Sequence, residues 1–275
     1  MLKQIVSIAL VLTFCALEIN GKPSNRIVGG DIISVEEAPY QAALLVNNRF
    51  LCGAVIIAPS WSITAARCVY TPSKVLLPPG LLKVRAGTDD ANIAWGINDI
   101  PVAGVIPHPN FNFVNFNYNL ALLKMQRNFA YELRIKCIKL VDSDATLPED
   151  QQIEVTGYGS SDPTVPAQDA KLRLVDVTIV EQTKCFLQYV WDGELGISNN
   201  MFCAAGEGRD ACQYDAGGPA VYQDRLVGII SHGRYCADPE QPGIYTRISA
   251  LRNWIDKTIE SNTRKQSNGK CVIDN

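Results

Sequence analysis

Short runs of β-favouring residues recur along almost the whole chain, and this rhythm constrains the fold more than any other feature. They cover Ala42–Val46, Ala54–Ile57, Leu82–Ala86, Ile153–Gly157, Leu172–Ile179, Leu226–Ser231 and Gly243–Ile248, with clusters of Gly, Pro, Asn and Asp between them. Such spacing predicts an all-β sandwich or barrel rather than βαβ units, because helical periodicity is almost absent until the end. The exception is Ile248–Glu260, where Ile248, Leu251, Trp254, Ile255 and Ile259 fall at steps of three and four. That pattern predicts one amphipathic helix packed on the body. With 275 residues, 47% of them hydrophobic, the chain can bury a substantial core.

The ends carry different signals. Lys3 precedes an apolar run from Ile5 to Leu17, broken only by Ser7 and Thr13 and followed by Glu18, Asn20 and Gly21. The run is short for a bilayer span and reads as a secretory signal over residues 1–21, a buried N-terminal element being the alternative. A short propeptide over 22–26 would follow. Removing residues 1–26 takes three of the 25 basic and one of the 28 acidic residues, leaving 22 against 27, a net charge of −5. That balance gives no general reason to bind nucleic acid or an anionic membrane. Cys15 falls in the signal, so eight cysteines remain in the secreted product, an even set that argues for disulfides in an oxidising compartment. Neither close CxxC pairs nor placed histidines suggest a metal site, and no cofactor is expected.

Several motifs occur in a fixed order: Arg26-Ile27-Val28-Gly29-Gly30, Cys52-Gly53-Ala54, Thr64-Ala65-Ala66-Arg67-Cys68, Asn119-Leu120-Ala121-Leu122-Leu123 and Thr156-Gly157-Tyr158-Gly159. Cys212-Gln213-Tyr214-Asp215-Ala216-Gly217-Gly218-Pro219, Ser231-His232-Gly233 and Pro242-Gly243-Ile244-Tyr245-Thr246 complete the series. Together they resemble the trypsin-like serine proteases over residues 27–260. The resemblance implies two six-stranded antiparallel β-barrels, divided near residue 140, with a cleft between them, a C-terminal α-helix and a polar tail over 261–275. Arg67, Asn119 and Ala216 stand where the family keeps its general base, its aspartate and its nucleophile. Hydrolysis by that route needs a hydroxyl, an imidazole and a buried carboxylate acting together. An arginine stays protonated at neutral pH, an asparagine supplies no charge, and a methyl group cannot attack a carbonyl. The resemblance is therefore closest to the family's non-catalytic members, the serine protease homologues.

Other positions match more fully. Arg26 and Ile27 correspond to the activation cut and the new terminus, and Asp215 to the carboxylate that receives it. Inherited remnants without present use are the alternative. Asp210 matches the base of the primary pocket, with Gly233 and Gly243 at its walls, which implies a protein partner or peptide with an exposed Arg or Lys. A turn-capping role for Asp210 is the alternative. Two departures bear on binding: Tyr214 replaces a glycine of the oxyanion hole, and Arg67 brings a cation to the cleft, one that repels a basic ligand or attracts an acidic one.

The same resemblance pairs Cys52 with Cys68, Cys185 with Cys203 and Cys212 with Cys236, leaving Cys137 and Cys271. These two either join within the chain, a bond that the extended tail can reach, or bridge two chains into a dimer. The expectation is a secreted monomer that acts by binding in an extracellular proteolytic or immune cascade. A weak residual endopeptidase and a lectin-like recognition protein are the other readings.

Overall fold

The structure, a computed structural model, describes residues 30–93, 98–159, 170–191, 196–208, 210–211, 214–234, 241–263 and 271. Residues 1–29, among them the segments expected to be signal and propeptide with Arg26 and Ile27, lie outside the described residues, as do Cys212, Cys236 and most of the tail.

After β1 (Asp31–Ile32), the first barrel uses β2 (Gln41–Val46), β3 (Arg49–Ala58), β4 (Trp61–Thr64), β5 (Leu82–Ala86), β6 (Asn98–Pro107) and β7 (Ala121–Met125). They close in the order β2-β3-β4-β7-β6-β5 with every pairing antiparallel. Leu44, Val55, Ile56, Ile63, Val84, Ile100 and Leu122 belong to one buried cluster that covers both faces of the sheet, and Trp61 is fully buried. Closure removes the exposed edges that an open sheet of such apolar strands would present.

The second barrel follows the short β8 (Lys139–Leu140). It is built from β9 (Gln152–Gly157), β10 (Arg173–Val180), β11 (Met201–Ala205), β12 (Pro219–Tyr222), β13 (Arg225–His232) and β14 (Gly243–Arg247). These run β10-β11-β14-β13-β12-β9, and a β9–β10 pairing closes the ring, with β1 and β8 as appendages. Burial alternates residue by residue along β10, the signature of a strand with one face inside. Val175, Val177 and Ile179 point in, against Ile153, Val155, Phe202 and Tyr245.

The expected C-terminal helix, α2, spans Ile248–Asn262 and buries Ile248, Leu251, Ile255 and Ile259. Ser261 and Asn262, assigned to the tail in the sequence reading, are thus its last turn, and Ile248 starts the helix instead of ending a strand. A second helix, α1 (Gln182–Trp191), corrects the expectation of helical periodicity only at the end. Its apolar residues do not share a face: Cys185 and Tyr189 are buried, whereas Phe186, Leu187 and Val190 are exposed. Glu181 starts it, its carboxylate oxygens accepting the Thr183 and Lys184 N–H groups at 2.7 Å each.

Three disulfides join described residues: Cys52–Cys68, Cys137–Cys271 and Cys185–Cys203, with Cα separations of 6.3, 5.6 and 6.2 Å. The second crosses 134 residues of sequence and fixes the chain beyond α2 onto the body. Replacing both Cys137 and Cys271 by Ser is expected to leave a monomer that is less stable by about 2–4 kcal/mol, the usual worth of such a cross-link. Urea unfolding measures the loss, and an unchanged midpoint would contradict it. In Cys271→Ser alone, the Cys137 thiol, only 3% exposed, should resist thiol reagents until the protein unfolds.

Candidate functional site

Arg67, Asn119 and Ala216 converge at the junction of the barrels. Arg67 sits in a short 3-10 turn (Ala66–Val69) directly after β4, held by the neighbouring Cys52–Cys68 bond. Cys68 Sγ lies 3.7 Å from the Ala216 carbonyl oxygen, which also accepts the Gly53 N–H at 2.9 Å. Ala216 is thereby pinned beside the arginine and is 1% exposed. Gly217, with φ +87°, allows this close approach, because a Cβ there would collide with the Gly53 carbonyl and Thr64 Oγ1.

Asn119 lies two residues before β7 and is fully buried. Its Oδ1 accepts the Arg67 backbone N–H at 2.9 Å, and its Nδ2 donates to Ser231 Oγ at 2.8 Å. Its carbonyl accepts the Thr246 hydroxyl at 3.0 Å. Ser231 Oγ in turn lies 2.9 Å from His232 Nδ1. Because Ser231 already accepts from Asn119, its own proton is free for Nδ1, which leaves a neutral imidazole with its proton on Nε2. Ser231 and His232 owe their placement to an irregularity in the β13–β14 register between Ile230 and His232, the kind of bulge that re-aims side chains beside a cleft.

A cleft of about 400 Å³ opens here. Arg67, Val114, Asn115 and Phe116 line it from the first barrel, and Tyr189, Ile197, His232, Gly233, Arg234 and Ile244 from the second. The Arg67 guanidinium makes no hydrogen bond or ion pair with the described residues, and its Nε is buried without a partner. Burial lowers its affinity for the proton. His232 is held down to about 4 by burial and then by the Arg67 charge. The loop carrying Phe116 is tied across the junction by Asn117, whose Oδ1 accepts from Ser198 Oγ at 2.9 Å and Asn200 Nδ2 at 3.0 Å.

The sequence-based pocket residues fall in two places. Asp210 is 2% exposed and packs on Gly243, where an added Cβ would lie 2.8 Å from Asp210 Oδ1. Gly233 lines the open cleft. Asp215 is fully buried, accepts the Gly159 N–H at 2.8 Å and presses on Gly157, where no Cβ would fit. Tyr214 adopts φ +72°, the left-handed conformation that glycine favours. Sequence reasoning gave Ser231 only as part of a motif, with no role, and passed over Tyr189, Ile197 and the 114–116 loop. The alternation of Phe and Asn from Phe111 to Asn117 was the available signal for that loop.

A family model described as Trypsin matches residues 27–255. The chain belongs to the trypsin family. It is 32% identical over 246 residues to the vitellin-degrading protease of Bombyx mori, covering 85% of this chain and 86% of that one. To a trypsin of Phaedon cochleariae it is 30% identical over 266 residues, 94% and 100% of the two chains. Trypsin iota of Drosophila melanogaster is 31% identical over 257 residues, 94% and 98% of the two. Among the described residues of this trypsin-family chain, no helix is long and apolar enough to cross a membrane.

The two histidines give the fold a pH dependence. His108, stacked on Tyr118 with ring centroids 4.5 Å apart, is lowered by burial to about 4, as His232 is. Unfolded, both return to the ordinary value near 6.5, so the unfolded chain takes up protons first as the pH falls. The stability they confer is therefore complete above about 6.5 and is lost as the pH drops through about 4. Denaturation midpoints at pH 7 and pH 4.5 check the direction. In Arg67→Gln, NMR titration should show a higher His232 pKa with His108 unmoved.

Proposed function

We propose that this chain is a secreted trypsin-family protein without protease activity that acts by binding, as a cofactor, decoy or regulator in an extracellular proteolytic or immune cascade. The observation that carries the reading is the composition of the junction. Arg67 cannot take a proton, Asn119 holds its neighbours through a neutral amide, and Ala216 offers only a methyl group. Neither histidine supplies a substitute base. His108 is packed between Tyr118 and Trp254, and Asn110 N–H occupies its Nδ1 at 3.2 Å. His232 has a serine beside it, but Ser231 is fully buried and engaged by Asn119, so its hydroxyl has no access to a substrate carbonyl.

The ligand in this reading is a protein or peptide that presents an Arg or Lys to Asp210, past Gly243, with cleavage after Arg26 as the switch acting through Asp215. Gly243 leaves the space beside the Asp210 carboxylate clear of a side chain, which supports a narrow slot for a cationic side chain. The relatives' names denote proteases, and a residual hydrolase is the rival.

One experiment separates them. Cleaved after Arg26, the chain is expected to bind benzamidine but leave chromogenic arginine and lysine esters intact, and Asp210→Ala should abolish the binding. Ala216→Ser should not react with an organophosphorus probe, since loss of one essential member of such a triad already costs about 10⁴- to 10⁶-fold and a lone serine still lacks a base. Ester turnover, or labelling at a trypsin-like rate, would overturn the proposal.

A further inference from the structure

The cleft at the junction of the barrels contains an unsatisfied charge. The Arg67 guanidinium faces it without a hydrogen-bond or ion-pair partner among the described residues, and its Nε is shut off from water. A second cation, Arg234, lines the same space, and none of the described lining residues is an Asp or Glu. A partly buried cation with no counter-charge is disfavoured, and an anion that enters relieves that cost while forming charge-assisted hydrogen bonds. The remaining walls are apolar and aromatic: Val114, 70% exposed, with Phe116, Tyr189, Ile197 and Ile244. Phe116 and His232 pack ring against ring, with centroids 4.8 Å apart, so this wall is built rather than loose.

We infer that the cleft binds an acidic peptide, with an Asp or Glu carboxylate on the Arg67 guanidinium and apolar neighbours of that residue against Val114 and Phe116. The cleft volume of about 400 Å³ suits a few side chains, in the size range of specific ligand sites. A planar guanidinium matches a carboxylate in bidentate geometry. The apolar walls favour a peptide over a sulfated glycan, which is recognised by several cations spread over an open surface. Asn115 and the Nε2–H of His232 supply neutral donors in the same space. The inference rests on the binding reading above, and it assigns the cleft a ligand charge opposite to that at Asp210. A partner satisfying both presents a basic side chain and an acidic one on the same segment.

The test uses the full secreted chain and two fluorescein-labelled tetrapeptide mixtures. One has Glu at a fixed position and Val, Leu, Ile or Phe elsewhere; the other has Gln in place of Glu. Anisotropy is expected to show the Glu mixture binding about ten-fold tighter or more, the scale of a hydrogen-bonded charge. Arg67→Gln should erase the preference, and Arg67→Lys should retain part of it. Circular dichroism of each variant establishes that it is folded. Equal binding of the two mixtures, binding of neither, or a preference that persists in Arg67→Gln would overturn the inference. So would tighter binding of a heparin tetrasaccharide than of the Glu mixture. Cleavage of either mixture would instead overturn the non-catalytic reading, leaving the acid preference to be judged separately.

Discussion

The side chain of Asn119 is the point on which the arrangement of the two barrels at the cleft depends. It is fully buried and makes its polar contacts in both directions, accepting from the backbone of Arg67 in the first barrel and donating to Ser231 in the second. Its carbonyl adds the hydroxyl of Thr246. A buried amide satisfied on both ends holds two bodies in register at little cost, whereas the same group left unpaired would cost on the order of 1–3 kcal/mol. A carboxylate at this position could only accept. Ser231 would then have to turn its proton toward residue 119 and away from His232. The asparagine therefore sets the direction of the whole chain of hydrogen bonds that ends on the imidazole.

From that fixed point the electrostatics of the cleft follow. The Arg67 backbone is anchored by Asn119 and by the Cys52–Cys68 cross-link, and its guanidinium lines the cleft with no ion-pair partner among the described residues. The same cation adds to burial in keeping His232 neutral. The cleft of this trypsin-family chain therefore carries a positive charge on its wall. Such a charge is suited to holding an anion.

The alternating strands were the most legible part of the sequence. Leu82–Ala86 coincides with β5, and β10 shows the inside–outside alternation that marks a half-buried strand. The amphipathic stripe of α2 was equally plain. Helix α1 escaped because its apolar residues are distributed on both faces, so that periodicity carries no signal. The site was legible as a set of positions through the resemblance, and the 3-10 turn, the β13 irregularity and the glycine contacts bring those positions together. The hydrogen bond between Asn119 and Ser231 spans 112 residues of sequence, and the contact of Phe116 with His232 is also long-range. No local pattern specifies either. Nor did the motif of Tyr214 indicate that tyrosine would take up a glycine's backbone conformation at φ +72°.

The central claim is that the junction of Arg67, Asn119 and Ala216 binds without forming a covalent bond to a carbonyl. It is tested most directly by active-site titration of the chain cleaved after Arg26 with p-nitrophenyl guanidinobenzoate, a reagent that releases one nitrophenol for each enzyme acylated. The account predicts no burst above the buffer blank at any protein concentration. A burst that grows in proportion to the chain, approaching one nitrophenol per molecule, would contradict it.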